Sequence, residues 1–314
     1  MVNQFCISAT SDRFWNFTKF VKFLFQHRGS SIQLTIEPEA ICLRNLGVYD
    51  LLESLDFRDV TVITRNPLEH HDFYKIQLIE NQWFDVTPEI DSSLHGWNQK
   101  RIFYALFGRP TAARLALASY LRDRYPNLSH IHFSASIDPD NLEQFEMDKL
   151  LRYDIESVCR AGNIISDLPL LLSDPGRYTA FEGYDYSDPL TDFYRDIFVD
   201  VVVESHVTGD TFFPTEKTLR SIWLKKPFVM FASRDYLCYL RQMGFRTFWQ
   251  FWDEDYDGYE TRDWLIRIYA LLDTLASLGK DRLWQMYQDM QSTLDHNYDL
   301  LIKKNYNRVI TKID

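Results

Sequence analysis

Several features are scarce in this sequence, and each absence excludes a class of protein. Glycine and proline number only 11 each among 314 residues, which excludes collagen-like, glycine-rich and low-complexity chains. No apolar run reaches the roughly 18 residues that a membrane-spanning helix needs, so no membrane span is predicted. Basic residues number 34 against 45 acidic ones, a net charge of −11. Proteins that bind nucleic acid through its phosphates present a basic surface, so no nucleic-acid partner is expected.

Paired cysteines, a leader and the common nucleotide-binding loops are also missing. Cys6, Cys42, Cys159 and Cys238 lie far apart and form no C-x-x-C pair, which is typical of reduced thiols in a cytoplasmic protein. The first residues lack a basic segment ahead of an apolar core, so no signal peptide is predicted. The absence of G-x-G-x-x-G and of a Walker lysine loop argues against a classical dinucleotide site and a P-loop NTPase.

Short apolar runs alternate with helical patterns along the chain, which indicates an α/β protein. The clearest unit spans residues 197–232, where an apolar strand is followed by a polar loop, a helix and a second strand. Such a β–loop–α–β unit favours a parallel sheet. Length and pattern together predict two α/β domains, residues 1–96 and residues 97–314, the second ending in a helical tail.

The strongest candidate site lies in the loop and helix that follow the strand at 197–204. Glu204 ends that strand, and Thr215 is a good N-cap for the helix after the loop. Open α/β sheets bind ligands at the carboxyl ends of strands, and helix N-termini bind anions. Lys217 in the first helical turn opposes the helix dipole, which a bound anion would explain. The alternative is a capped surface helix with Glu216 and Lys217 in solvent.

Two arginines flank a second strand-to-helix turn, at Arg109 and Arg114. Their guanidinium groups suit bidentate contacts with phosphate. The alternative is a pair of surface arginines.

Residues 202–233 resemble the donor-binding signature of the family 10 (α1,3/4-) fucosyltransferases. In that family a strand ends in Glu-Asn-Ser, and a loop leads to an aromatic residue, Thr-Glu-Lys, a helix and a strand with a Pro-hydrophobic-hydrophobic motif. Here the same order reads Glu204-Ser205-His206, Phe213, Thr215-Glu216-Lys217 and Pro227-Phe228-Val229. The sequence departs from the family pattern at Ser205, which replaces the asparagine, at Phe213, which replaces a tyrosine, and in a slightly longer loop.

The resemblance implies a GT-B fold, in which two Rossmann-like domains face a cleft and the C-terminal domain holds the nucleotide. It also implies inverting transfer of a sugar from a nucleotide sugar to an oligosaccharide or glycoconjugate, with no metal and no cofactor besides the donor. GDP-fucose is the implied donor, and another nucleotide sugar such as a UDP-sugar is the alternative. By the same resemblance Glu216 holds the ribose, while Lys217 and Arg114 neutralise the diphosphate. The complete expected donor-binding set is Arg109, Arg114, Glu204, Ser205, Phe213, Thr215, Glu216 and Lys217.

An inverting transfer needs a group that takes the acceptor proton, and the resemblance to GT-B enzymes implies that this base comes from the N-terminal domain. Glu37 and Glu39 directly follow the strand predicted at 31–36. Glu37 is the first choice because Pro38 stiffens the backbone beside it, and Glu39 is the alternative. Two solvated loop carboxylates are the other interpretation.

The sequence is also compatible with two functions other than a metal-independent GT-B transferase. Asp138-Pro139-Asp140 is formally the D-x-D of metal-dependent GT-A transferases, although a turn also explains it. His130 and His132 lie on one side of a predicted strand, where they are either zinc ligands without a third partner or structural histidines. A noncatalytic module that binds a nucleotide sugar is the rival of another class, because a fold alone does not prove an activity.

Overall fold

The computed structural model describes residues 2–10, 13–14, 16–37, 40–85, 92, 95–108, 111–133, 164–172, 192–259 and 261–312. Within these ranges the strands form two separate, mainly parallel sheets, and helices make several of the connections between parallel strands. The predicted α/β class is therefore confirmed, and each sheet with its helices forms one Rossmann-like unit. The domain boundary at residues 96 and 97 stays a prediction.

The first unit has a five-stranded sheet. Its strands are β1 (Asn3–Thr10), β2 (Arg13–Phe14), β3 (Ile32–Glu37), β4 (Val60–Thr64) and β5 (Lys75–Leu78), in the order β2-β1-β3-β4-β5. Every neighbouring pair is parallel except β1 with β2. Helices α1 (Phe17–Gln26) and α2 (Val48–Ser54) connect successive strands. All crossovers advance in one direction, which places both helices on one face of the sheet. Buried and half-buried residues therefore alternate along β3.

The second unit has a four-stranded parallel sheet. Its strands are β6 (Phe103–Phe107), β7 (Ser129–Phe133), β8 (Val199–Val203) and β9 (Phe228–Phe231), in the order β7-β6-β8-β9. Helix α3 (Ala112–Arg124) leads from β6 to β7, and helix α4 (Glu216–Trp223) leads from β8 to β9. All five residues of β8 are buried. This is the pattern of a central parallel strand with both faces covered, as its apolar sequence predicts.

The rest of the chain is mostly helical and completes the core of the second unit. It holds α5 (Tyr236–Gln242), α6 (Thr261–Ser277), α7 (Gly279–Asp289) and α8 (Gln291–Ile302). Trp264 of α6 stacks on Phe231 of β9 with ring centroids 3.8 Å apart. Residues 303–312 then run back to the first unit, where Arg308 pairs with Glu80 at 2.5 Å. Across the described ranges, no helix is long and apolar enough to cross a membrane.

Candidate functional site

The candidate site lies where the connections of the second sheet change direction. Strands β6 and β8 are neighbours, yet the chain leaves β6 towards β7 and leaves β8 towards β9. With right-handed crossovers, α3 and α4 then lie on opposite faces of the sheet, and their N-termini leave a crevice between the two strand ends. Ligands of open α/β sheets bind at such a point. The two motifs chosen from the sequence, one after β6 and one after β8, therefore come to the same edge of the sheet.

Glu204 directly follows β8, and its buried carboxylate is held entirely by groups of the protein. One oxygen, Oε1, accepts hydrogen bonds from the Thr215 N–H at 3.0 Å and the Thr218 hydroxyl at 2.5 Å. The other, Oε2, accepts from the Thr215 hydroxyl at 2.6 Å and the Ser205 N–H at 3.2 Å. Tyr236 donates to Oε1 from a third side at 3.2 Å. Because acids are favoured at helix N-termini, Glu204 closes the start of α4 and fixes it to the end of β8.

Thr215 is the N-cap of α4, as predicted. Its backbone is extended, and its hydroxyl oxygen accepts a long hydrogen bond from the Lys217 N–H at 3.4 Å. The Thr215 N–H is already taken by Glu204. The N–H groups of Thr215 and Lys217 are thus already hydrogen-bonded within the protein. Binding of an anion at this helix N-terminus therefore depends largely on charged side chains rather than on backbone N–H groups.

Lys217 folds back over the start of its own helix. Its ammonium donates to Glu216 Oε1 at 2.6 Å, to the Thr215 hydroxyl at 3.1 Å and to the Ser205 hydroxyl at 3.3 Å. An ammonium has three hydrogens, so these three acceptors saturate it. The expectation of Glu216 and Lys217 as solvated surface side chains does not fit, because their side chains are only 10% and 14% exposed.

Glu216 is a buried carboxyl group kept ionised by its neighbours. Burial alone would raise its pKa, but the charge and hydrogen bond of Lys217 and the charge of Arg220 hold the pKa below its ordinary value. Glu216 is therefore ionised at neutral pH and places one acceptor carboxylate beside the Lys217 ammonium.

Arg114 brings a second cation to the same strand end. It lies in the first turn of α3, is 4% exposed, and its Nη2 donates to the Val203 carbonyl at 3.4 Å. Val203 is the last residue of β8 and precedes Glu204. Of the expected donor-binding set, the structure thus gathers Arg114, Glu204, Ser205, Thr215, Glu216 and Lys217 at one sheet edge. Arg109 lies outside the described residues.

Phe213 is buried in the loop between β8 and α4. It is 3% exposed, and its ring centroid lies 6.3 Å from that of His206 in the same loop. Phe213 therefore packs within the loop.

Two asparagines of the first unit hold this loop, and sequence reasoning missed both. Asn66 Nδ2 donates to the Asp210 carbonyl at 2.8 Å, and its Oδ1 accepts from the Phe212 N–H at 3.2 Å. Asn81 Nδ2 donates to the Pro214 carbonyl at 2.7 Å. The available signal was position, because Asn66 comes two residues after the end of β4 and just before a proline.

The structure describes only one of the two glutamates that are candidates for the catalytic base. Glu37 ends β3 with an exposed side chain, and its Oε2 lies 3.7 Å from Cys6 Sγ. Glu39 lies outside the described residues. Asn45, in the segment that follows β3, packs closely against Gly209 in the loop between β8 and α4. A Cβ added at Gly209 would lie only 2.0 Å from the Asn45 side-chain nitrogen, so this segment of the first unit reaches the loop of the candidate site.

Another carboxylate in the first unit, Glu69, is 7% exposed and was not selected from the sequence. It accepts the Tyr49 hydroxyl at 2.7 Å and the Leu43 N–H at 3.1 Å. Burial raises its pKa. Because both of its oxygens are held by protein donors, Glu69 orders the segment after β3.

The candidate metal ligands fall into two groups. Asp138 and Asp140 lie outside the described residues. His130 pairs with Asp196 at 3.4 Å, whereas His132 is fully buried and its Nδ1 accepts from the Leu172 N–H at 3.4 Å. In the part of the chain that the structure describes, no three His, Cys, Asp or Glu side chains are grouped to hold a metal ion.

Comparison with known proteins adds one distant likeness. No protein-family model and no curated protein matches the sequence. A solved structure similar to this chain is the C-terminal domain of a glycosyl transferase group 1 family protein (LpcC) from Francisella tularensis. The identity is 14%, the match covers 69% of this chain and 98% of that chain, and the TM-score is 0.37. So distant a likeness assigns no function, and the resemblance to family 10 fucosyltransferases stays a prediction.

Proposed function

We propose that this protein is a glycosyltransferase that binds a nucleotide-sugar donor at the crevice between β6 and β8. The observation that carries the proposal is the convergence of two helix N-termini, with Arg114 and Lys217, on the end of one buried strand. A diphosphate needs fixed cations in a partly dehydrated place, and both of these side chains are largely buried. Glu216 beside Lys217 offers the carboxylate that would accept hydrogen bonds from ribose hydroxyls.

Donor binding would exchange contacts that Lys217 makes within the protein. Its hydrogen bonds to the Ser205 and Thr215 hydroxyls are longer than its contact with Glu216. A phosphate oxygen carries negative charge, so it attracts the Lys217 ammonium more strongly than a neutral hydroxyl oxygen does. In the proposal, a phosphate oxygen replaces one of these hydroxyl partners while the pair with Glu216 is kept.

The proposed reaction is a single displacement that inverts the anomeric carbon. The acceptor hydroxyl oxygen attacks that carbon, the bond to the phosphate oxygen breaks, and its electron pair remains on the leaving diphosphate. Arg114 and Lys217 lower the barrier because negative charge grows on the phosphate as this bond breaks. Glu37 takes the acceptor proton, with Glu39 as the alternative. No metal step is included, and GDP-fucose or another nucleotide sugar is the donor.

A ligand panel tests the proposal. GDP, UDP, ADP and their sugar conjugates would be added to the whole chain and the unfolding temperature measured, with turnover of each conjugate followed in parallel. One nucleoside diphosphate should raise the unfolding temperature, because a ligand at about 100 times its Kd stabilises the folded state by about 2.7 kcal/mol. Release of nucleoside diphosphate that persists in EDTA supports the proposal. Binding without turnover indicates a noncatalytic module, activity that needs Mn²⁺ or Mg²⁺ indicates the metal-dependent alternative, and no binding contradicts the proposal.

A further inference from the structure

A second pocket lies between the two units, lined on one side by the residues that follow β4 and β5. Its volume is about 240 Å³. The loop between β8 and α4 contributes Phe212 and Pro214, and the chain after α8 contributes Tyr306, Arg308 and Ile310. None of its lining residues belongs to the expected donor-binding set.

Among the described residues, two that line this pocket have a buried polar atom without a hydrogen-bond partner, Arg65 and Tyr306, and only Arg65 is charged. It follows the last residue of β4, and its Nε is buried without a hydrogen-bond partner. Arg65 makes no ion pair with any residue that the structure describes. A buried donor without a partner costs about 1–3 kcal/mol, and more where the group is charged. A ligand that supplies a hydrogen-bond acceptor to Arg65 Nε would therefore remove this unfavourable free energy when it binds.

The remaining charges of the pocket are compensated or open to water. Arg308 pairs with Glu80 at 2.5 Å, and its guanidinium lies 5.6 Å from the centre of the Tyr306 ring. Asp85 is exposed. The formal charges of Arg65, Arg308, Glu80 and Asp85 sum to zero. One unpaired guanidinium beside two carboxylates suits a single negative charge, so a carboxylate fits better than a phosphate dianion.

The size of the pocket and its lining residues indicate the chemical nature of the remainder of the ligand. Phe84 and Tyr306 pack with ring centroids 4.8 Å apart, and Pro67, Leu78 and Met243 add apolar surface. A cavity of about 150 Å³ holds benzene, so this larger one has room for a single six-membered ring with a carboxylate attached.

We propose that this pocket binds a small organic carboxylate carrying one ring, with the Arg65 guanidinium hydrogen-bonded to the carboxylate. Guanidinium and carboxylate match in a bidentate geometry, which gives orientation as well as affinity. The ring lies against Phe84 and Tyr306. The pocket adjoins the proposed donor site at Phe212 and Pro214 but shares no residue with the expected donor-binding set, and this proposal does not rest on the proposed function.

The test is an NMR titration of the whole chain with two acids and their neutral counterparts: benzoate against benzyl alcohol, and D-glucuronate against D-glucose. At least one acid should bind saturably and at least about tenfold more tightly than its neutral counterpart, in line with a charge-assisted hydrogen bond. Arg65→Gln should remove that preference. Arg58→Gln is the matched control, because Arg58 is exposed and pairs only with Asp56 among the described residues.

A second variant keeps the test decisive if Arg65→Gln does not fold. Ile310→Trp fills the pocket from the chain after α8 and leaves Arg65 in place, so it should block the acid. The proposal is overturned if neither acid binds to the wild type, or if the acid binds equally well to the variants that fold. Nucleoside diphosphate binding is measured in the same samples. If the wild type binds an acid but no nucleoside diphosphate, only the proposed function is contradicted. If it binds a nucleoside diphosphate but neither acid, only the proposal for this pocket is contradicted.

Discussion

At the residue level, Lys217 and Arg114 differ in how the protein holds them. The Lys217 ammonium makes three hydrogen bonds, one of them to a carboxylate, whereas Arg114 donates to the backbone carbonyl of Val203. Both side chains are largely buried at the end of β8. A diphosphate placed there meets cations that are already positioned, so little side-chain entropy is lost on binding.

Lys217→Ala and Arg114→Ala should each weaken nucleoside diphosphate binding by tenfold or more. The physical reason is the loss of a charged hydrogen-bond partner, which costs about 1.5–3 kcal/mol. Titration calorimetry measures the effect. Lys303→Ala is the control, because Lys303 is 65% exposed and pairs with Asp299 on the surface of α8. If both Lys217→Ala and Arg114→Ala bind nucleoside diphosphate as tightly as the wild type does, these residues do not bind the diphosphate.

Glu37→Gln should leave donor affinity unchanged and lower turnover by about 100-fold or more, since general base catalysis contributes at least that much. An amide is close to the carboxyl group in shape but does not accept the acceptor proton. Steady-state kinetics together with donor titration measure both quantities. Glu53→Gln serves as the control, because Glu53 is an exposed partner of His71 on the first unit. Normal turnover in Glu37→Gln would move the proposed role to Glu39.

His132 makes the stability of the protein depend on pH. Burial, with the charge of Arg220, lowers its pKa from 6.5 to about 4. The unfolded chain therefore binds more protons than the folded one between these values, and stability is lost as the pH falls from 6.5 towards 4. Relative to His132→Gln, the wild type should lose up to about 1.4 kcal/mol per pH unit in that window. Denaturant unfolding of both proteins from pH 7 to pH 4 measures this, and a difference that does not change with pH would contradict it.

At the level of elements, sequence pattern predicts those that are buried on both faces or strongly periodic. The strand predicted at 197–204 is found at Val199–Val203, and the strand predicted at 31–36 is found at Ile32–Glu37. Edge elements carry weaker signals. β5 (Lys75–Leu78) is mostly exposed and shows little alternation, and the two-residue strand β2 is fixed only by its pairing with the end of β1.

The candidate site was predictable only in part, for a physical reason that concerns Glu204. Its position at the end of a strand and the Thr215 cap are local signals, and both are found. That its carboxylate turns towards Thr215 and Thr218, which lie 11 and 14 positions further along, depends on how β8, the loop and α4 pack. Residue types alone do not show whether a strand-end carboxylate contacts a ligand or caps the next helix.

Glu204→Gln should lower the free energy of unfolding by about 2–3 kcal/mol, because hydrogen bonds to a charged group are lost and an amide N–H₂ faces other donors. Denaturant unfolding measures this. Asp299→Asn, on the exposed ion pair with Lys303 at the end of α8, is the matched carboxylate-to-amide control and should leave the free energy of unfolding nearly unchanged. A change in Glu204→Gln as small as that of the control would show that the cap does not stabilise α4.

For the whole molecule, one of the links between the two units runs through the same loop as the candidate site. Asn66 is fully buried, binds the backbone at Asp210 and Phe212, and accepts the Leu68 N–H at 3.2 Å. Gly209 in that loop has φ +78°, a conformation that glycine adopts without strain. Because α4 begins directly after this loop, the position of the proposed phosphate site is tied to the first unit.

Asn66→Ala should therefore loosen the two units without unfolding either. The substitution leaves the Phe212 N–H and the Asp210 carbonyl without their side-chain partner, at a cost of about 1–3 kcal/mol for each buried group left unsatisfied. We expect hydrogen exchange to accelerate at the Phe212 amide and donor affinity to fall, while amides within β1, β3 and β4 keep their protection. Asn3→Ala is the matched control, because Asn3 Nδ2 donates to Ser31 at 3.4 Å within the first unit. If exchange at Phe212 is the same in Asn66→Ala as in the wild type, Asn66 does not hold the loop, and the coupling of the first unit to the donor site must run through Asn81 or the chain after α8.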